Sequence, residues 1–240
     1  MFTQDTAPAP ERVRKILVVN PNSNPAVSKL IAEAAERVLP DDINADIVNP
    51  PGSPFSIETK EDRDAVVPMI LSLLDRIGIS SYGAVVMGCF DDLALEPLRE
   101  RLDIPVIGTF EAGLMSARAH ASRFSIVTTF EGALPGISGL LKQYGAAEQC
   151  SARAAGLGVA AAANSSETGL AKIRAAIEIA VSEDKAEAVL LGSGGLTGRA
   201  SVLQKEFEVP VIDGVEAAIR IAGALLSQES HVDHASWLSI

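Results

Sequence analysis

The sequence predicts an α/β protein of two pseudo-twofold-related lobes. Each lobe is a mostly parallel sheet with helices on both faces, and the ligand site lies in the cleft between them. Three observations predict this. Short apolar runs without polar alternation recur between longer helical patterns, as parallel strands covered on both faces require. Hydrophobic residues make up 48% of the chain and aromatics only 4%, so small aliphatic side chains must fill the core. The second half of the chain also repeats blocks of the first in the same order.

The elements follow in turn. Residues 15–19 read as a strand, 26–38 as a helix, 45–48 as a strand and 61–77 as a helix. Then come a strand at 84–87, a helix at 93–102, a short strand at 106–107 and a helix at 110–121. Between the first strand and helix, Ser23 or Asn24 before Pro25 suits an N-cap with proline at the first helical position. The alternation restarts at 124–127. IVTTF (126–130) lines up with VVNPN (18–22), and LLGSGG lines up with VVMGCF, which sets Ser193 over Cys89. VPVIDGVEAAI (209–219) lines up with IPVIGTFEAGL (104–114). The duplication places lobe 1 at 15–121, with its last helix free to cross to the other lobe, and lobe 2 at 122–226. Residues 1–14 read as a disordered polar leader and 227–240 as a polar tail.

Composition narrows the function. A formal net charge of −11 argues against a nucleic-acid partner, which needs a basic footprint. No run of 18 apolar residues offers a membrane span. The first residues lack the apolar core of a signal peptide, and two cysteines make no disulfide framework. A reducing cytoplasm is the expected compartment. No Cys/His/carboxylate cluster suggests a metal. GSGG at 192–195 lacks the lysine and glycine spacing of a nucleotide loop. No cofactor is expected.

In open parallel sheets, ligands bind beyond the carboxyl ends of the strands. Four such ends carry Asn20-Pro21-Asn22-Ser23, Cys89-Phe90, Thr128-Thr129 and Ser193-Gly194. The pseudo-dyad sets Cys89 and Ser193 on opposite sides of the cleft. A thiol serves as acid or base when its pKa falls towards neutrality. A helix starting just after Cys89 favours the thiolate and offers N–H groups to a substrate oxyanion. Two such groups on opposite faces of a carbon acid racemise it. A serine hydroxyl is a far weaker acid, but it still donates a hydrogen bond to an oxyanion.

Plainer readings stand beside these. A free cysteine is most often a buried small hydrophobe. Asp91 and Asp92 suit capping of the helix that follows them. Asp213, aligned with Gly108, either orients a cleft residue or caps a helix. Cys150 falls in a polar connecting segment with no counterpart in the other half. His120 reads as a surface or interface residue, and the spacing of His231 and His234 in the tail is too weak for a metal. Phe55, Phe90, Phe110 and Phe130 are wall or core residues. The Ala-rich stretches 113–121 and 171–181 suggest close helix packing between copies, hence a homo-oligomer.

VVNPNSN near the start, PFSIET (54–59), VMGCFDD, IPVIGTFEA, RFSIVTTFEGALP (123–135) and VPVIDGVEAA together resemble the aspartate/glutamate/hydantoin racemase superfamily. The resemblance runs from residue 15 to about 226 and is strongest to the hydantoin and allantoin racemase branch. It implies cofactor-independent proton transfer at a carbon of a small-molecule substrate, between two lobes. It makes Cys89 a catalytic thiol and gives Asn20, Phe90, Thr128, Thr129 and Gly194 contacts to substrate. The chain departs from the pattern at one place. The family's second thiol falls in the segment that here reads LLGSGGLTG, so Ser193 takes the second catalytic position. Three explanations follow: an engineered Cys→Ser variant, a natural one-thiol decarboxylase or isomerase, or a racemase of reduced activity. A non-catalytic two-lobed binder is the reading from another class.

Overall fold

The computed structural model describes residues 13–164 and 166–228. Residues 1–12 of the expected leader and 229–240 of the expected tail, with His231 and His234, lie outside the described residues. Eight strands form two four-stranded parallel sheets. The first has the order β2-β1-β3-β4, from β1 (Lys15–Val19), β2 (Asn44–Val48), β3 (Ala84–Met87) and β4 (Val106–Gly108). The second has the order β6-β5-β7-β8, from β5 (Phe124–Thr128), β6 (Cys150–Ala154), β7 (Ala188–Leu191) and β8 (Val211–Asp213). The equal order in both sheets is the expected two-lobed α/β fold. Cys150 is the exception to the sequence reading. It starts β6 and pairs with Phe124 as Asn44 pairs with Lys15, so it sits on a strand and has a counterpart. The run CSARA hid that strand, because every residue of it is only half-buried and no apolar alternation marks it.

The central strands β1, β3, β5 and β7 are almost wholly buried, as helix cover on both faces demands. α1 (Pro25–Val38) begins where Asn24 Oδ1 accepts the Ala26 N–H at 3.0 Å, with proline at the first helical position. α2 (Lys60–Ile77) begins with a capping box between Thr59 and Asp62. α3 (Leu95–Arg101) starts later than the sequence suggests. Asp92 and Ala94 adopt positive φ of 47° and 60°, which holds the chain after Cys89 in a loop.

α4 (Thr109–His120) and α9 (Gly214–Gln228) exchange sheets. α4 buries Phe110, Leu114 and Ala117 among Phe124, Ile126, Leu190 and Ile212 of the second sheet. α9 buries Val215, Ala218, Ile219 and Ala222 among Ile16, Val18, Ala84 and Val86 of the first. Burying a side chain such as Phe110 or Leu114 is worth roughly 1.5–3 kcal/mol. Several together hold each helix on the opposite lobe. The two helices cross with backbones nearly touching: a Cβ on Gly113 would lie 3.2 Å from Gly214 Cα, and one on Gly214 would lie 3.1 Å from Thr109 O. Gly113, at the start of the stretch 113–121, therefore serves a crossing inside the molecule, while Met115, Arg118 and Ala119 of the same helix stay exposed. α5 (Leu134–Gln143), α6 (Val159–Ala163), α7 (Glu167–Ser182) and α8 (Ala200–Phe207) complete the second half.

Each exchanged helix starts directly from a strand end, so its first N–H groups are buried and need acceptors. Asp213 supplies them for α9, accepting from Val215 at 2.9 Å and Glu216 at 3.2 Å. Its other oxygen accepts the Gly198 N–H at 2.6 Å, so Asp213 caps α9 and also holds the loop that follows Ser193. Asp92 does the same for α4, accepting from Phe110 at 2.8 Å and Glu111 at 3.0 Å. It caps a helix 17 residues away (109 − 92), not α3 as its position in sequence suggests. Gly108, aligned with Asp213, leaves the space that the Asp92 carboxylate fills: a Cβ there would lie 2.5 Å from Asp92 Cγ.

Gly108→Ala therefore displaces Asp92 from the start of α4 and lowers stability by about 1–3 kcal/mol in urea unfolding. Gly136→Ala, at a helical site with open space around it, raises stability by about 0.5–1 kcal/mol in the same assay.

Candidate active site

One cleft gathers the carboxyl ends of the central strands. Its lining includes Cys89 and Phe90 after β3, Thr128 at the end of β5 and Thr129 just after it, and Ser193 and Gly194 after β7. Six of the seven residues singled out in the sequence meet there. Asn20, the seventh, is fully buried one layer behind. Its amide donates to Asn22 Oδ1 at 3.3 Å and Ser28 Oγ at 3.0 Å, and this holds Asn22, which does line the cleft. Of the four phenylalanines considered as walls, Phe90 and Phe130 line the cleft. Phe110 is core, with its ring 5.0 Å from that of Phe90, and Phe55 is 57% exposed.

Ile57, Ala133 and Val159 also line the cleft, and the sequence reading did not mark them. Asn22 and Phe130 occupy matched places in VVNPN and IVTTF, so the repeat held that signal. Ile57 and Val159 follow β2 and β6. With β6 unrecognised, nothing set the two segments opposite each other. The glycines of GSGG serve packing: a Cβ on Gly192 would lie 3.0 Å from the Phe90 ring, and one on Gly195 would lie 2.6 Å from Val159 O.

The electrostatics differ from expectation at the thiol. Five residues separate Cys89 from Leu95, the first of α3, so no helix start stabilises a thiolate. Burial pushes the Cys89 thiol up from its ordinary 9.0, and the carboxylate of Asp91 adds to the shift. Asp91 itself is paired with Arg63, whose Nε lies 2.7 Å away. The resting residue is a neutral thiol in a half-buried position. Ser193, in the same lining, has its Oγ accepting the Gly195 N–H at 3.3 Å. Thr128 Oγ1 donates to Gly192 O at 2.9 Å, tying β5 to the Ser193 loop. Thr129 lines the cleft, and its Oγ1 is buried without a hydrogen-bond partner, which leaves bonding capacity unused.

Two further carboxyls are shifted. Burial raises Asp92 from 3.8 to about 7 and Asp213 from 3.8 to about 6, against the backbone N–H bonds that pull each down. Cys150, on β6, is raised by burial to about 12. His120 is exposed at the end of α4, with Nδ1 2.8 Å from Ser116 O. Among the described residues, no group of three or more His, Cys, Asp or Glu is placed to hold a metal ion, and no helix is long and apolar enough to cross a membrane.

Comparison with known proteins gives a consistent picture. The Asp/Glu/Hydantoin racemase family matches residues 16–222. The chain is 37% identical over 212 residues to a hydantoin racemase of Rhizobium meliloti, covering 88% of each chain. Its fold superposes on an allantoin racemase from Klebsiella pneumoniae with a TM-score of 0.83 at 34% identity, covering 90% of this chain and 88% of the other. An allantoin racemase from Pseudomonas fluorescens gives the same TM-score at 30% identity, covering 90% and 92%.

A raised thiol pKa sets the reactivity of Cys89. Its alkylation by iodoacetamide, followed on the Cys89 peptide, rises about tenfold per pH unit through pH 9 without levelling off. A plateau below pH 8 contradicts the buried, neutral thiol. Asp92 sets a second dependence. Its folded-state pKa lies above its unfolded value, so the native state holds the proton more tightly and stability falls as pH rises from about 4 to 7. Asp92→Asn flattens that slope by up to about 1.4 kcal/mol per pH unit, read from urea unfolding across the window.

Proposed function

The chain belongs to the Asp/Glu/hydantoin racemase family and is an isomerase of the racemase type; on that premise we propose that it racemises 5-substituted hydantoins or allantoin at their chiral carbon, without a cofactor. The observation that carries this reading is the shared cleft of Cys89 and Ser193, each two residues beyond the end of matched strands β3 and β7 of the two lobes. A planar carbanion between them meets a proton donor on each face. Cys89 takes or delivers the proton on one face. Burial lowers the population of its thiolate at neutral pH, and it also makes the thiolate a stronger base once formed. Ser193 serves the other face as a weak acid and as a hydrogen-bond donor to the developing enolate oxygen. Thr129 Oγ1 supplies a polar contact to the ring, and Phe90, Phe130, Ile57 and Val159 form the wall for its substituent. Two free cysteines fit a reducing cytoplasm. Self-association is part of the proposal, resting on the exposed face of α7, where Ile179 is 36% exposed.

The serine also favours a second reading. A one-thiol site suits a reaction with a single proton delivery, such as decarboxylation, in which loss of carbon dioxide generates the carbanion.

The test uses an enantiopure 5-substituted hydantoin in deuterated water, with the protein and its Ser193→Cys variant. Optical rotation and deuterium at the chiral carbon are followed together. The expected result is slow loss of rotation with the protein and a gain of about 100-fold or more with the variant. A variant no faster than the parent overturns the assignment of Ser193. Deuterium uptake with full retention of rotation in both supports one-sided, single-thiol chemistry.

A further inference from the structure

We propose that residues 55–57 are the door of the cleft and that Glu58, whose backbone is fixed, is its latch, a positioning residue that holds the door shut by binding the opposite lobe. The cavity beside Cys89 has a volume of about 40 Å³, far below the ~300 Å³ at the lower end of small-molecule pockets. A substituted ring enters only if part of the lining moves.

The segment after β2 is built for that motion. Its near end is tied down: Pro54 O accepts the Ser23 N–H at 2.8 Å, and the Asn49 amide donates to the carbonyls of Asn20 and Asn22. Its far end is fixed by the capping box of α2, where Asp62 Oδ2 accepts the N–H groups of Glu58 at 3.1 Å and Thr59 at 2.9 Å. Between these anchors lie Phe55, more than half exposed, and Ile57, buried against the cavity. From its fixed backbone, Glu58 reaches across and accepts the Val159 N–H at 3.1 Å, 101 residues away in sequence. Ile57 and Val159, the neighbours on each side of that bond, both line the cavity.

Val159 belongs to a firmly held segment of the second lobe. Ala155 N–H donates to Thr128 O and Leu157 N–H to Thr129 O, both at 2.9 Å. The receiving side of the latch is thus tied to the wall that faces the thiol. The Glu58 side also connects to the thiol: Arg63, in the first turns of α2, holds Asp91 two residues from Cys89. Release of Glu58 frees Ile57 from the cavity and opens a path to Cys89. The proposal rests on Cys89 lining this cleft, as the proposed function does, and not on which reaction occurs there.

The test measures access to the thiol in the absence of substrate. The full chain and its Glu58→Ala and Glu58→Gln variants are treated with iodoacetamide at one pH, and labelling of Cys89 and Cys150 is quantified separately by peptide mass spectrometry. Loss of a hydrogen bond to a charged acceptor raises Cys89 labelling in Glu58→Ala by roughly 10- to 100-fold. Glu58→Gln keeps an oxygen for the Val159 N–H and stays within a few-fold of the parent. Cys150, on β6, reports general loosening and keeps its rate in all three. Equal Cys89 labelling in the three proteins overturns the latch, and so does a parallel rise at Cys150. The readout stands whether or not the protein racemises a hydantoin.

Discussion

The exchange of α4 and α9 between the two sheets is the constraint on which the rest of the structure depends. Each helix leaves its strand without a connecting loop and at once crosses to the other lobe. That brings two backbones together at Gly113 and Gly214 and buries two helix starts beside the floor of the cleft. A buried N–H group without a partner costs about 1–3 kcal/mol, so each start requires an acceptor from nearby. The two lobes solve this differently. In the second lobe the capping carboxylate, Asp213, ends the strand itself. In the first, Gly108 stands in that place and Asp92 reaches in from the loop after Cys89. The loop that carries the thiol is thereby pinned to the helix that locks the lobes together.

This pinning explains the state of the thiol. Asp92 and Ala94 take left-handed backbone conformations so that the loop can turn Asp92 inward, and the start of α3 moves away from Cys89. The thiol has no helix start beside it and is partly desolvated next to a paired carboxylate, Asp91. Both effects raise its pKa. On the facing side, Ser193 sits in a loop that close packing at Gly192 and Gly195 holds against Phe90 and Val159. The two matched loops that line the cleft therefore differ in chemistry, one bringing a thiol and the other a hydroxyl.

Much of this was legible in the sequence, because the fold writes itself as a repeat. The apolar runs of β1, β3, β5 and β7 mark strands buried on both faces, and the matched blocks around Cys89 and Ser193 mark the two cleft loops. The missing parts share one cause: they depend on contacts between segments distant in sequence. β6 looks polar because it lies at the edge of its sheet, so Cys150 read as connecting chain. Asp92 looks like a cap for the next helix because sequence shows its neighbours and not the buried start of α4. The glycine at position 113 looks like a surface for a partner because sequence does not show the helix it already touches. Ile57, Glu58 and Val159 come from loops whose meeting across the cleft no local pattern announces.

The account stands on Cys89 and Ser193 addressing opposite faces of one carbon. A crystal structure of the protein with a bound hydantoin analogue whose C5 is planar tests this most directly. Two-faced proton transfer requires Cys89 Sγ in contact with C5 from one face and Ser193 Oγ from the other, with Thr129 Oγ1 on a ring heteroatom. An analogue bound with both side chains on the same face, or with C5 turned away from Cys89, contradicts it.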